Sequence, residues 1–253
     1  DQPTLPSSKQ PTAATTAPAD ATASANAAKA AAAAAAATAT PTEPTGCNVP
    51  ARPYHTILTS SSGTYQEWQT IVMYHHFKMQ KARDPCGEMG GLTRLLTWRG
   101  EPPAEVVAQM PTVVVEEETG GGYRVINRPH SMALFLKTPQ YAAIREEYIY
   151  IAETDHILLR PMPNLATETT PAAFHFGYML ASGQANIVEK FVPGLGGKTD
   201  DVGPSPLIIH KKQLEAVAGP WLDYSRQICK DREAVQALGW VREMWGYTIA
   251  AAK

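Results

Sequence analysis

The sequence has few of the features that usually assign a chain to a class of function. Only three of its 253 residues are cysteines, Cys47, Cys86 and Cys229, and they are too few and too scattered for a disulfide scaffold or a zinc cluster. At most one disulfide can form, which leaves one thiol over. The 22 basic residues do not outnumber the 24 acidic ones, and the formal net charge is −2. Without a basic excess to neutralise phosphates, we expect no nucleic-acid partner.

Long apolar runs and familiar catalytic motifs are missing as well. The nearest candidate for a membrane-spanning helix, residues 27–39, is mostly alanine and carries Lys29, so it lacks the large side chains that drive insertion. The sequence has no P-loop, no GxGxxG motif, no zinc motif and no Ser–His–Asp or Cys–His nucleophile set. The function classes that such motifs mark are therefore not indicated.

Composition divides the chain at about residue 50. Residues 1–50 are dominated by Ala, Thr, Pro and Ser and contain few large apolar side chains. Such a segment cannot bury enough surface to offset the entropy lost on ordering, so we predict a low-complexity stem or linker there. Residues 51–253 contain ample apolar side chains for the core of a folded domain.

The second part of the chain alternates between strand and helix patterns. Thr64 and Glu67 form a capping-box pattern at the start of a first helix. We predict strands at residues 55–59, 92–96, 112–115, 172–180 and 207–210, and helices at 104–109, 131–136, 211–217 and 231–252. This alternation favours an α/β fold with a mostly parallel sheet and right-handed crossovers.

Residues 146–159 carry the main functional signal. They open as an apolar run rich in Tyr and Ile, typical of a strand buried on both faces, and then present Glu153 and Asp155 one residue apart. Residues two apart in an extended chain project to the same side, so we expect both carboxylates to point past the edge of the sheet. Ligands of open α/β sheets bind at the carboxyl ends of the strands, and two oxygen ligands suit a divalent cation that holds a diphosphate. The alternative is that both are loop-edge charges in a cap or a salt bridge.

Weaker signals occur elsewhere. The turn at residues 60–63, Ser-Ser-Ser-Gly, follows the first strand and is weak evidence for phosphate or nucleoside contact; an ordinary strand-to-helix connection is the alternative. Asn127 and Arg128 precede a helix start, where an anionic donor would gain from the helix dipole and a guanidinium, although a surface turn would look the same. His156 follows Asp155, and because strand neighbours point to opposite sides, we expect it in the core or behind the site.

The blocks of sequence taken together resemble a family, the plant and algal hydroxyproline O-arabinosyltransferases. No single block is decisive, but they occur in the expected order over residues 54–252. They lie at residues 65–69, 91–96, 122–129, 147–156, 161–166, 171–174, 205–209 and 239–247.

The resemblance implies a GT-A-like, Rossmann-type glycosyltransferase. It would transfer arabinofuranose from a UDP sugar to hydroxyproline in secreted hydroxyproline-rich proteins or peptides. Mn²⁺ or another divalent cation would be held by Glu153 and Asp155, in a variant of the usual Asp-x-Asp motif.

Further site residues follow from the same resemblance. Asn127 and Arg128 would lie on the donor side, and Thr59 and Ser60 would lie beside the nucleotide. Glu243 is the catalytic candidate, in contact with the sugar or the acceptor; a charge on a helix surface is the alternative.

The resemblance also implies a location and leaves rivals open. It implies a type II membrane protein of the Golgi or ER lumen, with the membrane anchor and a C-terminal part absent from this chain. One rival is a peptidyl-serine galactosyltransferase, which we expect to carry Asp-x-Asp in place of Glu153-Thr154-Asp155. The other is a non-catalytic fragment that binds peptide.

Overall fold

A six-stranded sheet forms the centre of the computed structural model, which describes residues 46–253. The strands are β1 (Tyr54–Ser61), β2 (Met89–Trp98), β3 (Thr112–Glu116), β4 (Tyr148–Glu153), β5 (Ala172–His175) and β6 (Val202–His210). Their spatial order is β3-β2-β1-β4-β6-β5. Strands β1 to β4 are parallel to one another, and only β6 runs against the two strands beside it. The predicted α/β class with a mostly parallel sheet is confirmed. The predicted stem, residues 1–50, lies outside the described residues except for its last five positions.

Eight α-helices accompany the sheet within the described part of the chain. They are α1 (Thr64–Lys81), α2 (Ala104–Val107), α3 (Asn127–Phe135), α4 (Pro139–Ala142), α5 (Ala185–Phe191), α6 (Lys211–Lys230), α7 (Arg232–Leu238) and α8 (Arg242–Ala251). Short 3₁₀ turns occur at Gly120–Gly122, Arg124–Ile126, Ala181–Gln184 and Gly239–Val241. Across residues 46–253, no helix has both the length and the apolar character required to cross a membrane.

Strand β4 separates two hydrophobic cores. Its first five residues are buried, and only the last, Glu153, is partly exposed. Ile149 and Ile151 pack on one face in a cluster with α3 and α6, which contribute Phe135 and Trp221. The side chain of Tyr150 packs on the other face, in a cluster to which α1 contributes. Burial on both faces explains the uninterrupted apolar run, and each large side chain removed from water contributes about 1.5–3 kcal/mol.

Several predicted bounds are wrong for local reasons. Strand β5 ends at His175 rather than at residue 180, because the chain turns and the Met179 N–H donates to Phe176 O at 2.8 Å. The helix predicted over residues 231–252 is split at Gly239, whose φ of 53° favours glycine. The capping box also does not form: Gly63 occupies the cap position of α1 with no side-chain hydrogen bond.

The segment before β1 is fastened to the domain at the amino-terminal end of the sheet. Cys47 and Cys86 form a disulfide, which confirms that at most one pair exists, and Cys229 is the free thiol. Nearby, the buried carboxylate of Glu88 accepts hydrogen bonds from Asn164 N at 2.8 Å and from Asn48 Nδ2 at 2.5 Å. The opposite, carboxyl-terminal edge of β1 and β4 is where the site lies.

Candidate functional site

A cavity of about 620 Å³ opens at the carboxyl ends of β1 and β4. These two parallel strands are neighbours, and Thr59 pairs with Glu153, so their last residues meet at one edge. The walls of the cavity come from the turn between β1 and α1, the first turn of α1, the start of α3 and the turn after β4. This volume lies in the range of small-molecule sites.

The structure brings six of the seven predicted site residues to this cavity. They are Thr59, Ser60, Asn127, Arg128, Glu153 and Asp155. The seventh, Glu243, does not line the cavity but contacts Arg128 directly. Their individual roles stay predictions.

The acidic turn reaches the cavity for a different reason than predicted. Strand β4 ends at Glu153, so the residues that follow are not extended, and the expectation of a strand that carries both carboxylates on one side is wrong. Thr154 and Asp155 occupy a turn closed by a hydrogen bond from His156 N to Glu153 O at 3.2 Å. The buried Thr154 hydroxyl donates to Gln69 Oε1 at 3.0 Å, which fixes the turn against α1. Asp155 is left exposed at the cavity wall.

Arg128 bridges two carboxylates. Its Nη2 donates to Glu153 Oε2, and its Nη1 donates to Glu243 Oε1. Exposure of the three side chains differs sharply: 29% for Glu153, 13% for Arg128 and 1% for Glu243. Burial alone would lower the pKa of Arg128, but Glu243 and Glu153 outweigh it and raise that pKa. Glu153 is therefore not a free carboxylate, and Glu243 is not a charge on a helix surface.

Glu243 is held rigidly and is electrostatically unusual. Burial raises its pKa to about 7, against the opposing effect of Arg128 and with a further increase from Glu153. Its second oxygen, Oε2, is buried and accepts no hydrogen bond from residues 46–253. The backbone is fixed on both sides: Glu243 N donates to the Tyr123 hydroxyl at 3.2 Å, and Trp221 Nε1 donates to Glu243 O at 2.8 Å. No local sequence pattern indicates this burial, since the partner of Glu243 lies 115 residues away.

Asn127 lines the cavity, but its side chain is already engaged. Its Oδ1 accepts from Glu118 N at 2.7 Å, and its Nδ2 donates to Glu118 O and to Arg124 O, both at 3.1 Å. These bonds hold the loop before α3. Both N–H groups of Nδ2 are used, so only the second lone pair of Oδ1 could accept a further bond without displacing one of these.

Strand β1 continues to Ser61, so Thr59 and Ser60 lie in the strand, and the turn predicted at residues 60–63 begins later. Thr59 Oγ1 is used, since it donates to Ala152 O at 3.1 Å, but the buried Ser60 Oγ has no partner among the described residues. The first intrahelical bond of α1 runs from Glu67 N to Gly63 O, so the preceding N–H groups at its amino terminus have no helical acceptor. Such a helix start favours an anion.

The acidic turn fits a cation only together with another ligand. Within residues 46–253 no group of three or more His, Cys, Asp or Glu side chains could hold a metal ion. Glu153 and Asp155 can supply two oxygens, a number typical of a cation whose other ligands are phosphates and water. His156 stacks on Tyr150, and its Nδ1 lies 3.1 Å from that hydroxyl. Burial lowers the pKa of His156, although Glu153 and Asp155 oppose the shift, so it supports the turn as a neutral ring.

The sequence of this chain is similar to those of known proteins. Residues 54–253 match the description "Hydroxyproline O-arabinosyltransferase family N-terminal domain". The chain is 39% identical over 206 residues to hydroxyproline O-arabinosyltransferase 3 of Arabidopsis thaliana and 40% identical over 206 residues to hydroxyproline O-arabinosyltransferase RDN1 of Medicago truncatula, with 79% of this chain and 56% of each relative covered. Peptidyl serine alpha-galactosyltransferase of Arabidopsis thaliana is 26% identical over 217 residues, which cover 79% of this chain and 26% of that protein. The chain thus spans little more than half the length of its arabinosyltransferase relatives.

Proposed function

This chain belongs to the hydroxyproline O-arabinosyltransferase family, and from that premise we propose that it forms the donor-binding part of a glycosyltransferase. The reaction would move an arabinofuranosyl group from a UDP sugar to the hydroxyl of hydroxyproline in a secreted protein or peptide. One observation carries the proposal: a single cavity at the carboxyl edge of the sheet collects the serine turn, Arg128, Glu153 and Asp155.

Both walls of the cavity carry groups that could bind the negatively charged diphosphate of a UDP sugar. The N–H groups at the start of α1 offer donors to an anionic or hydroxyl-bearing group on one side. On the other side Arg128 directs a guanidinium at the cavity, where it would bind a diphosphate and stabilise the charge that develops as the sugar–phosphate bond breaks.

Glu153 and Asp155 would hold a divalent cation such as Mn²⁺, which when bound would screen the diphosphate and assist departure of UDP. Both side chains line the cavity, and the remaining ligands would be phosphate oxygens and water. Glu243 does not line the cavity, so we assign it a positioning role rather than the direct sugar or acceptor contact that the resemblance implied. It holds Arg128 from behind.

The disulfide between Cys47 and Cys86 supports a secretory location. Structural disulfides persist in oxidising compartments and are rare in the cytosol. The lumen of the Golgi or ER, which the resemblance implies, is one such oxidising compartment, and we propose it as the location.

Calorimetry with UDP, in the presence and absence of Mn²⁺, tests the donor site on this chain. We expect Mn²⁺ to tighten UDP binding by about tenfold or more, the equivalent of about 1.4 kcal/mol. Binding of UDP that is independent of the metal, or no binding, would contradict the proposal. The hypothesis of a non-catalytic fragment that binds peptide would then remain.

A transfer assay distinguishes an arabinosyltransferase from a peptidyl-serine galactosyltransferase. Radiolabelled UDP-arabinofuranose with a hydroxyproline peptide should give labelled peptide. UDP-galactose turnover on a serine peptide without arabinosyl transfer would favour the galactosyltransferase instead.

A further inference from the structure

Arg128 connects a fixed carboxylate with a movable one. Glu243 is almost fully buried, and its backbone is held by Tyr123 and Trp221. Glu153 is the last residue of β4 and the most exposed of the three charged groups. If the bridge opens, it will open on the Glu153 side, since rotation of that side chain disturbs no core packing.

Arg128 and a bound cation would compete for the carboxylate of Glu153. A cation at the acidic turn needs Glu153 oxygens, and Arg128 already binds Oε2. A cation that takes Oε2 breaks this charge-assisted contact and leaves one arm of a nearly buried guanidinium without a partner, which is costly, and a cation on Oε1 alone lies close to the positive guanidinium. A diphosphate in the same cavity removes that cost, because its oxygens accept from the freed Nη2 while Nη1 stays on Glu243.

We propose that Arg128 couples cation binding to nucleotide binding by exchanging Glu153 for a phosphate group of the nucleotide. A cation alone binds weakly, and a cation with a diphosphate binds tightly. The cation binds Glu153 after it leaves Arg128, and the diphosphate accepts hydrogen bonds from Arg128 after it loses Glu153. By linkage the coupling is reciprocal, so the cation raises the affinity for the nucleotide by the same factor. This inference rests on the proposed function, since it takes the cavity to be the donor site.

Titration of free Mn²⁺ by electron paramagnetic resonance at pH 8, with and without UDP, measures this coupling in the full chain. Arg128→Gln should raise the affinity for Mn²⁺ alone by about tenfold and lower the UDP-dependent gain by a similar factor. Arg124→Gln is the control for loss of a positive charge. Arg124 lines the same cavity but pairs with Glu117 at 3.2 Å and contacts neither acidic residue of the turn. We expect it to change the affinity for Mn²⁺ alone by less than about twofold, as for a screened surface charge.

Two further variants keep the test decisive if Arg128→Gln does not fold. Arg128→Lys retains the charge but lacks the planar fork that holds Glu153 and Glu243 on two separate nitrogens, so it should still raise the affinity for Mn²⁺ alone and reduce the coupling. Glu243→Gln should act in the opposite direction, because Arg128 then has Glu153 as its sole charged partner and competes harder with the cation. A purely structural role for Arg128 would lower affinity in all three variants.

The outcomes separate this inference from the proposed function. If the wild-type chain binds no Mn²⁺ even with UDP, the donor-site proposal fails. If it binds Mn²⁺ with UDP but neither Arg128→Gln nor Arg128→Lys exceeds Arg124→Gln in affinity for Mn²⁺ alone, the coupling by Arg128 is wrong and the donor site stands.

Discussion

The two ends of the sheet each bury one glutamate to the same extent, 1% exposed, and treat it in opposite ways. At the amino-terminal end, both oxygens of Glu88 accept hydrogen bonds, from Asn48, Arg52 N and Asn164 N. At the cavity end, Glu243 has one oxygen on Arg128 and one without a partner. The carboxylate of Glu88, with hydrogen bonds to both oxygens, stabilises the fold. Glu243 has one oxygen without a partner, and the residue that binds its other oxygen, Arg128, lines the cavity. Buried polar groups are normally satisfied, and of the two buried glutamates only Glu243, at the cavity end, departs from this rule.

The largest effect on stability should come from the fastened end. Cys47→Ala/Cys86→Ala removes a crosslink between positions 39 residues apart. For a loop of this length the chain-entropy relation gives a loss of about 4 kcal/mol in the free energy of unfolding. Urea unfolding measures it, and UDP binding to the folded variant should not change. A loss below about 1 kcal/mol would mean that the hydrogen bonds around Glu88 hold this end without the crosslink.

The same substitution at the two buried glutamates sharpens the comparison. Glu88→Gln at pH 6 should cost about 2 kcal/mol, because an amide N–H then faces backbone N–H donors that lose their acceptor. Glu243→Gln should cost less than about 1 kcal/mol at this pH, since Gln resembles the protonated carboxyl that a pKa of about 7 implies. Equal losses in urea unfolding would remove the distinction between the two ends.

The stability of the protein should depend on pH through Glu243, at the cavity end of the sheet. The pKa of Glu243 is about 7 in the folded chain against an ordinary value of 4.5. Between these values the unfolded chain loses this proton first, so the contribution of Glu243 is complete below pH 4.5, falls as the pH rises and is gone above about pH 7. The loss is of the order of 3 kcal/mol.

Urea unfolding of wild type and Glu243→Gln from pH 4.5 to 8 isolates this contribution, because other groups titrate equally in both. The difference between the two chains should shift steadily in favour of the variant as the pH rises. A difference independent of pH would show that Glu243 is ionised throughout.

Much of the fold was predictable from local pattern, but the electrostatics of the site was not. The apolar run of β4 and the carboxyl-end rule were enough to predict where the cavity lies, even though the strand stops at Glu153 and the extended geometry assumed for the pair was wrong. The bridge through Arg128 depends on the packing of both α3 and α8 against α6. That packing joins residues 115 positions apart, and no short window of sequence records it.

The smallest effect on stability should accompany a clear effect on binding. Asp155 is exposed, and no ion pair or side-chain hydrogen bond involves it within residues 46–253. Asp155→Asn should therefore change the free energy of unfolding by less than about 0.5 kcal/mol. If Asp155 shares a cation with Glu153, the same variant should lower the Mn²⁺-dependent gain in UDP affinity by about tenfold. Glu101→Gln, an exposed carboxylate outside the cavity, is the matched control and should leave that gain unchanged. If Asp155→Asn and Glu101→Gln behave alike in calorimetry, the cation is held without Asp155, and the acidic turn contributes Glu153 alone.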